Sequence, residues 1–389
     1  MKVLIIKMSS MGDLIHTLPA LTDATSNLAL KLSKLGESVS FDWVVEEGFA
    51  EIPAWHPGIH KVIPIGLRRW RKNLFKTNFL KQTKEILQFV KNLRAEKYDL
   101  VIDAQGLFKS ALVGRLARTT KSKKLTFFGT DKDSAREGGA SFFYGQKISV
   151  PKGLHAITRT RILFSKIFDY ALDPSGLIFP DYGLRNLSLG GRGQSADSNY
   201  SNNKKPFVLF LHGTTWESKH WPEKYWAELA QKVLAHGWDV YLPWGSLSER
   251  DRAVRICNSS PPPSDSLRSS TSPSEGGSES LSGQILVLEK LKLTDLAHLL
   301  QQATYVVGVD SGLAHLAAAL NCRAITLFGP TDSLLTGPLG RNQLSLQANF
   351  ECSPCFLKKC NYPLPHAVSP PCFGQLYPGK IWEKILKNF

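Results

Sequence analysis

Three short polar turns concentrate the residue types that could do chemistry. The first is Lys7-Met8-Ser9-Ser10-Met11-Gly12-Asp13. Gly12 lets the backbone come close to a ligand, and Asp13 stands where a helix begins. Its carboxylate has two readings: a helix cap worth about 1 kcal/mol, or a general base toward a hydroxyl. No G-x-G-x-x-G accompanies the turn, so a dinucleotide fingerprint is not met. The second turn runs from His212 to Pro222, with Thr214, Thr215 and Lys219 just ahead of a helix. Two hydroxyls and an ammonium in that place suit a phosphate. The G-K-[ST] ending of a Walker loop is missing, and a plain polar loop is the alternative. The third turn is Val309-Asp310-Ser311-Gly312-Leu313-Ala314-His315. The small Ser311-Gly312 pair at a helix start leaves backbone N–H groups facing outward, which makes an anion site. Asp310 orders that turn or binds a ribose hydroxyl. His315 falls one turn later, facing the same ligand or filling the core.

Charge points the same way. Lys and Arg total 48 against 33 Asp and Glu, a formal net charge of +15. Such an excess implies an anionic partner: nucleic acid, a membrane surface or a phosphorylated substrate. Between Lys61 and Lys97 there are eleven Lys or Arg and two Glu. Lys81 to Lys97 reads as a solvated helix face. Arg68-Arg69-Trp70-Arg71-Lys72 reads as an anion grip, because guanidinium forks hold phosphate and carboxylate bidentately while Trp70 lies on apolar surface. Four of the six cysteines crowd the C-terminus as Cys352-x2-Cys355-x4-Cys360-x11-Cys372. One C-x2-C raises zinc, but the remaining spacings are irregular for zinc modules, so reduced structural thiols are the default reading. Asp131-x-Asp133 imitates a metal-binding D-x-D only superficially, with Lys132 between the two in a basic loop.

The elements that must position these turns are alternating strands and helices. Val3 to Ile6 is a continuous apolar run suited to a strand buried on both faces, and Val39 to Val45 and Leu100 to Asp103 read as further strands. A helix is expected from Leu14 to about Ala24, and another with a buried stripe of Ile86, Phe89, Val90 and Leu93. The pattern restarts with strands at Phe207–Leu211 and Val240–Leu242 around a helix opened by Pro222, whose buried face includes Tyr225, Trp226, Leu229, Ala230, Val233 and Leu234 and which Gly237 ends. Leu296–Gln302 reads as a helix, Tyr305–Val309 as a buried strand and Gly312–Leu320 as a helix. This is an α/β chain with two doubly wound parallel domains. The expected boundaries are residues 1–184, a linker at 185–205, a second domain at 206–345 and a Cys-containing tail and helix at 346–389. Within the second domain, residues 258–284 carry 11 Ser in 27 residues and read as a disordered insertion. The N-terminal apolar run is too short for a signal peptide or a membrane span, so a cytosolic protein is expected.

In their order along residues 1 to about 340, these strings resemble one family. Ser9-Ser10-Met11-Gly12-Asp13 with His16-Thr17-Leu18-Pro19-Ala20 resembles the opening of the lipopolysaccharide heptosyltransferases of glycosyltransferase family 9. The stretches Phe41 to Phe49, Ile65 to Lys72, Asp103 to Leu107, Lys219-His220-Trp221-Pro222, Leu242-Pro243-Trp244-Gly245 and Phe328 to Asp332 resemble its type I members. The Ser-rich insertion departs from that pattern, and the C-terminal cysteines are closer to other members.

The resemblance implies a GT-B fold, two Rossmann-like doubly wound domains facing a central cleft. It implies inverting transfer of heptose from ADP-heptose to the Kdo of Kdo2-lipid A, with Asp13 as base. Asp310, Ser311, Gly312, His315, Thr214, Thr215 and Lys219 would hold the donor, and Glu249, after the Leu-Pro-Trp-Gly turn, would contact its ribose. Ser10, Gly12, Arg68, Arg69, Arg71, Lys72 and Arg136 would meet the acceptor. No cofactor or metal is required, since fixed donors can carry the charge of the departing diphosphate. The enzyme would be a monomer, cytoplasmic and peripheral to the inner leaflet of the inner membrane, with no nucleic-acid partner. The rival readings are a type II enzyme acting on heptose-bearing core, a nucleic-acid-binding protein, and a non-catalytic nucleotide sensor.

Overall fold

The computed structural model describes residues 1–72, 79–173, 176, 180–184, 205–260 and 283–387. The expected linker, apart from Lys205, and most of the Ser-rich insertion fall outside the described residues. The chain divides into two compact units, Met1–Ser188 and Leu189–Phe389.

The first unit is built on six parallel strands: β1 Lys2–Ile6, β2 Ser40–Glu46, β3 Ile59–Ile65, β4 Leu100–Asp103, β5 Phe127–Thr130 and β6 Gln146–Ile148. They lie in the order β3-β2-β1-β4-β5-β6, with Ile5 paired to Trp43 on one side and Ile102 on the other. Strands β1, β2 and β4 are almost wholly buried while β3 and β6 are not, which is why those three are the more apolar in sequence. Leu4, Ile6, Val44, Val101 and Phe127 form the core with Trp70, Phe89 and Leu93 from the helical layer.

The helix expected at Leu14 to about Ala24 is two helices, Met11–Ile15 and Leu18–Ser33. The break falls at His16–Thr17, and Pro19 occupies the first turn of the second helix, where its missing N–H costs nothing. In Phe79–Leu93 the expected stripe buries Phe89 and Leu93 fully and Val90 partly, whereas Ile86 is exposed because the core stops short of it.

The second unit repeats the plan with β7 Phe207–Leu211, β8 Asp239–Leu242, β9 Ile285–Val287, β10 Tyr305–Val309, β11 Ala324–Phe328 and β12 Gln343–Gln347. Their order is β9-β8-β7-β10-β11-β12, again parallel throughout. The helix Glu223–Ala235 starts one residue later than expected, with Pro222 as its cap in an extended conformation. Beyond it Gly237, at φ 88°, turns the chain into β8 in the left-handed region glycine favours. Trp226, Leu229 and Val233 face the sheet, and Phe373, Ile381 and Ile385 from the chain's end pack onto the same core. The Trp221 indole N–H, donating to Leu376 O at 2.8 Å, pins that end in place.

Candidate active site

Each sheet reverses its strand order once, between β1 and β4 and between β7 and β10. In open parallel sheets ligands bind in the crevice beyond the carboxyl ends of those strands. All three chemistry-bearing turns leave one of these strands.

In the first unit, Ser10 caps the short helix that Asp13 enters. Asp13 Oδ2 accepts from the Ser10 N–H at 2.8 Å and the Ser10 hydroxyl at 2.9 Å, so the capping reading is correct as far as it goes. Arg136 Nη1 stands 3.5 Å from that same oxygen. Among the described residues these contacts all fall on Oδ2, leaving Oδ1 to accept a proton. Burial pushes the carboxyl up, but Lys7, then Arg136 and the Ser10 hydrogen bonds outweigh it, and the group is held below its ordinary range. Gly12 is buried under the turn and Ser10 is exposed at its rim.

The residues that build this turn were visible only as strings. Gln105 Oε1 accepts the N–H groups of Met8 and Ser9 at 2.7 and 3.1 Å, and its amide donates to Ser9 O. Buried Asp103 accepts from Gln105 N, Gly106 N, Ser110 Oγ and Tyr144 OH at 2.8–3.1 Å, which locks the β4 turn. Lys7 is buried with its ammonium on Ala104 O at 2.8 Å. Burial holds its pKa below the ordinary lysine value, Asp13 opposing that shift and Arg136 adding to it. The available signal was a lysine placed directly at the end of an apolar strand.

The basic cluster is a helix, Leu67–Lys72, and its members differ. Arg69 is ion-paired to Glu47 at 2.8 Å and to Glu85 at 2.5 Å, so its fork is already occupied. Trp70 is buried against Phe89, as its apolar role required. Arg68 lies over the Phe49 ring at 5.2 Å. Arg71 and Lys72 are exposed. Asp131 spends a carboxylate oxygen on Ser134 N–H at 2.8 Å, an ordinary turn contact.

In the second unit Asp310 is the hub. Its Oδ2 accepts Lys219 Nζ and the Thr331 hydroxyl, each at 2.6 Å, and His315 Nε2 stands 3.9 Å from Oδ1. Thr214 Oγ1 donates to Asp310 O at 3.3 Å, while Thr215 is exposed beside it. Lys219 also lies over the Trp216 ring at 4.5 Å. Ser311 caps the helix Gly312–Ala319, and its buried hydroxyl has no hydrogen-bond partner among the described residues. An unpaired buried donor at a positive helix end is a place prepared for an anion. Glu249 occupies the same capping position as Asp13: Oε2 accepts Gly245 N and Ser246 N at 2.8 and 2.9 Å. Its other oxygen lies against Gly213, where an added Cβ would meet it at 2.7 Å.

Behind this loop His220 bonds Thr214 O through Nε2 at 3.0 Å and meets Arg252 Nη1 through Nδ1 at 2.5 Å. Burial and then Arg252 lower its pKa, so the ring is neutral, with Nε2 donating and Nδ1 accepting. Buried His212 is pushed down to about 3 by the same two causes.

The cysteine-bearing segment braces the Ser218–Lys219 turn from outside. Ser218 donates its N–H to Lys358 O and its hydroxyl to Leu357 O. Phe356 N–H donates to Pro330 O at 2.7 Å and Ser353 Oγ to Gly329 O at 2.6 Å. Gln347 Nε2 adds a bond to Thr331 O at 3.0 Å. The brace therefore closes a ring through Thr331, Asp310, Lys219 and Ser218. Cys352 and Cys360 are exposed, Cys355 is half-buried, and Cys372 Sγ lies beneath Gly329. Among the described residues no group of three or more His, Cys, Asp or Glu is arranged to hold a metal ion.

Residues 86–366 match glycosyltransferase family 9 (heptosyltransferase). The lipopolysaccharide heptosyltransferase 1 of Pseudomonas aeruginosa is 44% identical, with 99% of this chain and 97% of that protein aligned. The chain belongs to glycosyltransferase family 9. It is therefore a glycosyltransferase. The heptosyltransferase 1 of Escherichia coli K12 is 41% identical over 90% of this chain and 94% of its own length. The solved structure of the E. coli heptosyltransferase WaaC with ADP superposes with a TM-score of 0.74 at 36% identity, all of both chains being covered. That of E. coli heptosyltransferase II superposes at 0.67 with 18% identity, over 100% of this chain and 98% of that one, a likeness of fold. The family's two parallel-sheet domains, of GT-B type, are those described above.

Proposed function

We propose that the chain transfers heptose from ADP-heptose to the Kdo of Kdo2-lipid A in lipopolysaccharide core synthesis, with inversion. The first unit would bind the acceptor and the second the donor. The observation that carries this reading is the Asp13 carboxylate. One oxygen is fixed by its own helix start, the other is uncommitted, and Lys7 and Arg136 hold the group ionised.

The acceptor hydroxyl attacks the anomeric carbon from the face opposite the diphosphate. Its proton passes to Asp13 Oδ1, and the electron pair of the breaking C–O bond leaves with ADP. A carboxylate of low pKa is a weak base, so it takes the proton as the new C–O bond makes the hydroxyl acidic. Negative charge grows on the diphosphate, and donors that meet it there stabilise the transition state above the ground state. Lys219, Thr214, Thr215, the unpaired Ser311 hydroxyl and the N–H groups at Ser311 and Gly312 are such donors. Lys219 would exchange Asp310 for phosphate, freeing Asp310 and His315 toward the donor, while Glu249 takes the ribose.

Arg68, Arg71, Lys72 and Arg136, with Ser10 and Gly12 at the rim, would meet Kdo carboxylates and lipid A phosphates. Arg69 would act through Glu47 and Glu85, holding that helix. The protein would work as a monomer at the cytoplasmic face of the inner membrane. No helix among the described residues is long and apolar enough to cross a membrane, so attachment would be peripheral.

The test is turnover of ADP-heptose on Kdo2-lipid A and on a heptose-bearing core, followed by mass spectrometry. One added heptose on the first acceptor only is expected. Transfer restricted to the second would overturn the acceptor assignment.

A further inference from the structure

The helix Phe108–Leu116 buries Ser110, Ala111, Val113 and Gly114 against its sheet. That leaves Phe108, Lys109, Leu112, Arg115 and Leu116 facing out. A solvent-facing helix surface ordinarily carries polar residues, yet Phe108, Leu112 and Leu116 recur here at a four-residue spacing and are 47%, 52% and 45% exposed. The stripe continues past the helix. The Phe108 ring meets Phe143 edge-on at 6.0 Å, and Phe142 beside it is 85% exposed. At the other end Lys123 Nζ bonds Arg115 O, and the turn it belongs to exposes Leu125 next to Lys124. An apolar patch of this extent marks an interaction surface.

We infer that this face docks the protein on a bilayer surface bearing anionic lipid, the apolar side chains entering the headgroup layer and the cations meeting lipid charge. Two features select that occupant. Lys109 and Arg115 share the outward face with Phe108, Leu112 and Leu116, the mixed pattern of an interfacial helix. The acidic group beside it, Glu137, is engaged with the Phe108 N–H at 2.8 Å at the helix start. The face also begins at the candidate site: Gly106, two residues before Phe108, is locked by Asp103 and abuts Arg136 N, the neighbour of Asp13. A lipid-borne acceptor lying in that bilayer would present its sugar toward this turn. This last point rests on the acceptor reading above; the docking itself does not.

The experiment is vesicle flotation of the full chain, using phosphatidylcholine alone or with phosphatidylglycerol and containing no glycolipid acceptor. Wild type is expected to float with the anionic vesicles and to be released by salt. Combined Leu112→Ser, Leu116→Ser and Phe142→Ser should lower partitioning at least about tenfold. The same variant should keep its thermal midpoint and its turnover on detergent-dispersed acceptor. Lys109→Ala with Arg115→Ala should abolish the preference for anionic over neutral vesicles. Unchanged flotation of the apolar variant would overturn the proposal. So would loss of a concentration-dependent self-association in sedimentation with flotation intact, which would make the face a contact between copies of this chain. Because the vesicles hold no acceptor, failure of the acceptor assignment leaves these outcomes unaffected.

Discussion

Replacing Asp13 by Asn isolates chemistry from architecture. The Asn side-chain oxygen can still accept the Ser10 N–H that Asp13 accepts at 2.8 Å, so the helix start survives and stability should change by no more than about 1 kcal/mol. What disappears is the uncommitted basic oxygen and the negative charge facing Lys7 and Arg136. Loss of a general base costs about 10²–10⁴ in rate, which at about 1.4 kcal/mol per tenfold is roughly 2.7–5.5 kcal/mol on the barrier. That loss should fall on kcat. The proposed donor residues lie in the second unit, so ADP binding measured by titration calorimetry should match wild type. The assay is heptose incorporation at saturating substrates, with thermal unfolding as the control. Retention of kcat within about threefold would refute the base assignment. A parallel loss of ADP affinity or of the thermal midpoint would refute the separation of roles.

The cations around Asp13 set its titration. Loss of one of them in Arg136→Met raises the carboxyl pKa, so activity on a small, uncharged-acceptor analogue should fade at a higher pH as the medium is acidified; an acid limb identical to wild type would contradict this. Lys219→Met removes the charged partner of Asp310 and should weaken ADP binding about 10- to 100-fold, read by calorimetry. Ser218→Ala breaks the hydroxyl bond to Leu357 and loosens the brace, so KM for the donor should rise severalfold with kcat nearly unchanged, a split that steady-state kinetics resolves. His212, with a folded pKa of about 3, binds its proton more readily when unfolded. Its contribution is complete above the unfolded value near 6.5 and is lost as pH falls from there toward about 3, by up to about 1.4 kcal/mol per unit. His212→Leu should flatten the decline of the thermal midpoint between about pH 6 and pH 4, and an unaltered slope would count against it.

What could be read in advance followed from burial on both faces. β1, β2, β4, β7 and β10 lie inside their sheets, mostly apolar despite Asp42 in β2, Asp103 at the end of β4 and Gly308 in β10, and the turns leaving β1, β7 and β10 were found with them. The edge strands β3 and β12 were missed for the matching reason, β3 carrying His60, Lys61 and Pro64 and β12 being only half-buried along its length, whereas the interior strands β5 and β11 were missed although β11 is buried throughout. The break at His16–Thr17 is a property of capping geometry, which a hydrophobic period cannot register. The site was legible where one residue carries the chemistry, as at Asp13 and Asp310. It was illegible where partners arrive from far along the chain. Gln105 is 96 residues from Ser9, and Leu357 is 139 from Ser218, so nothing local announces either contact. Arg69 shows the converse: its place in a basic run suggested a free cation, and two distant glutamates occupy it.

The brace has a consequence for how the protein comes to be made. Lys219 and Asp310 emerge from the ribosome well before Ser353 to Lys358, whose carbonyls fasten Ser218 beside Lys219 and whose Ser353 hydroxyl fastens Gly329 near Thr331, the partner of Asp310. The final helix, which packs on the second core, follows later still. The first unit can fold early in synthesis, since N-terminal domains fold as they emerge. The proposed nucleotide site cannot be finished until Ser353 to Lys358 are free. On the proposed roles, a nascent or prematurely ended chain would carry a formed acceptor half and no working donor half, so an incomplete polypeptide would hold no sugar nucleotide to spend.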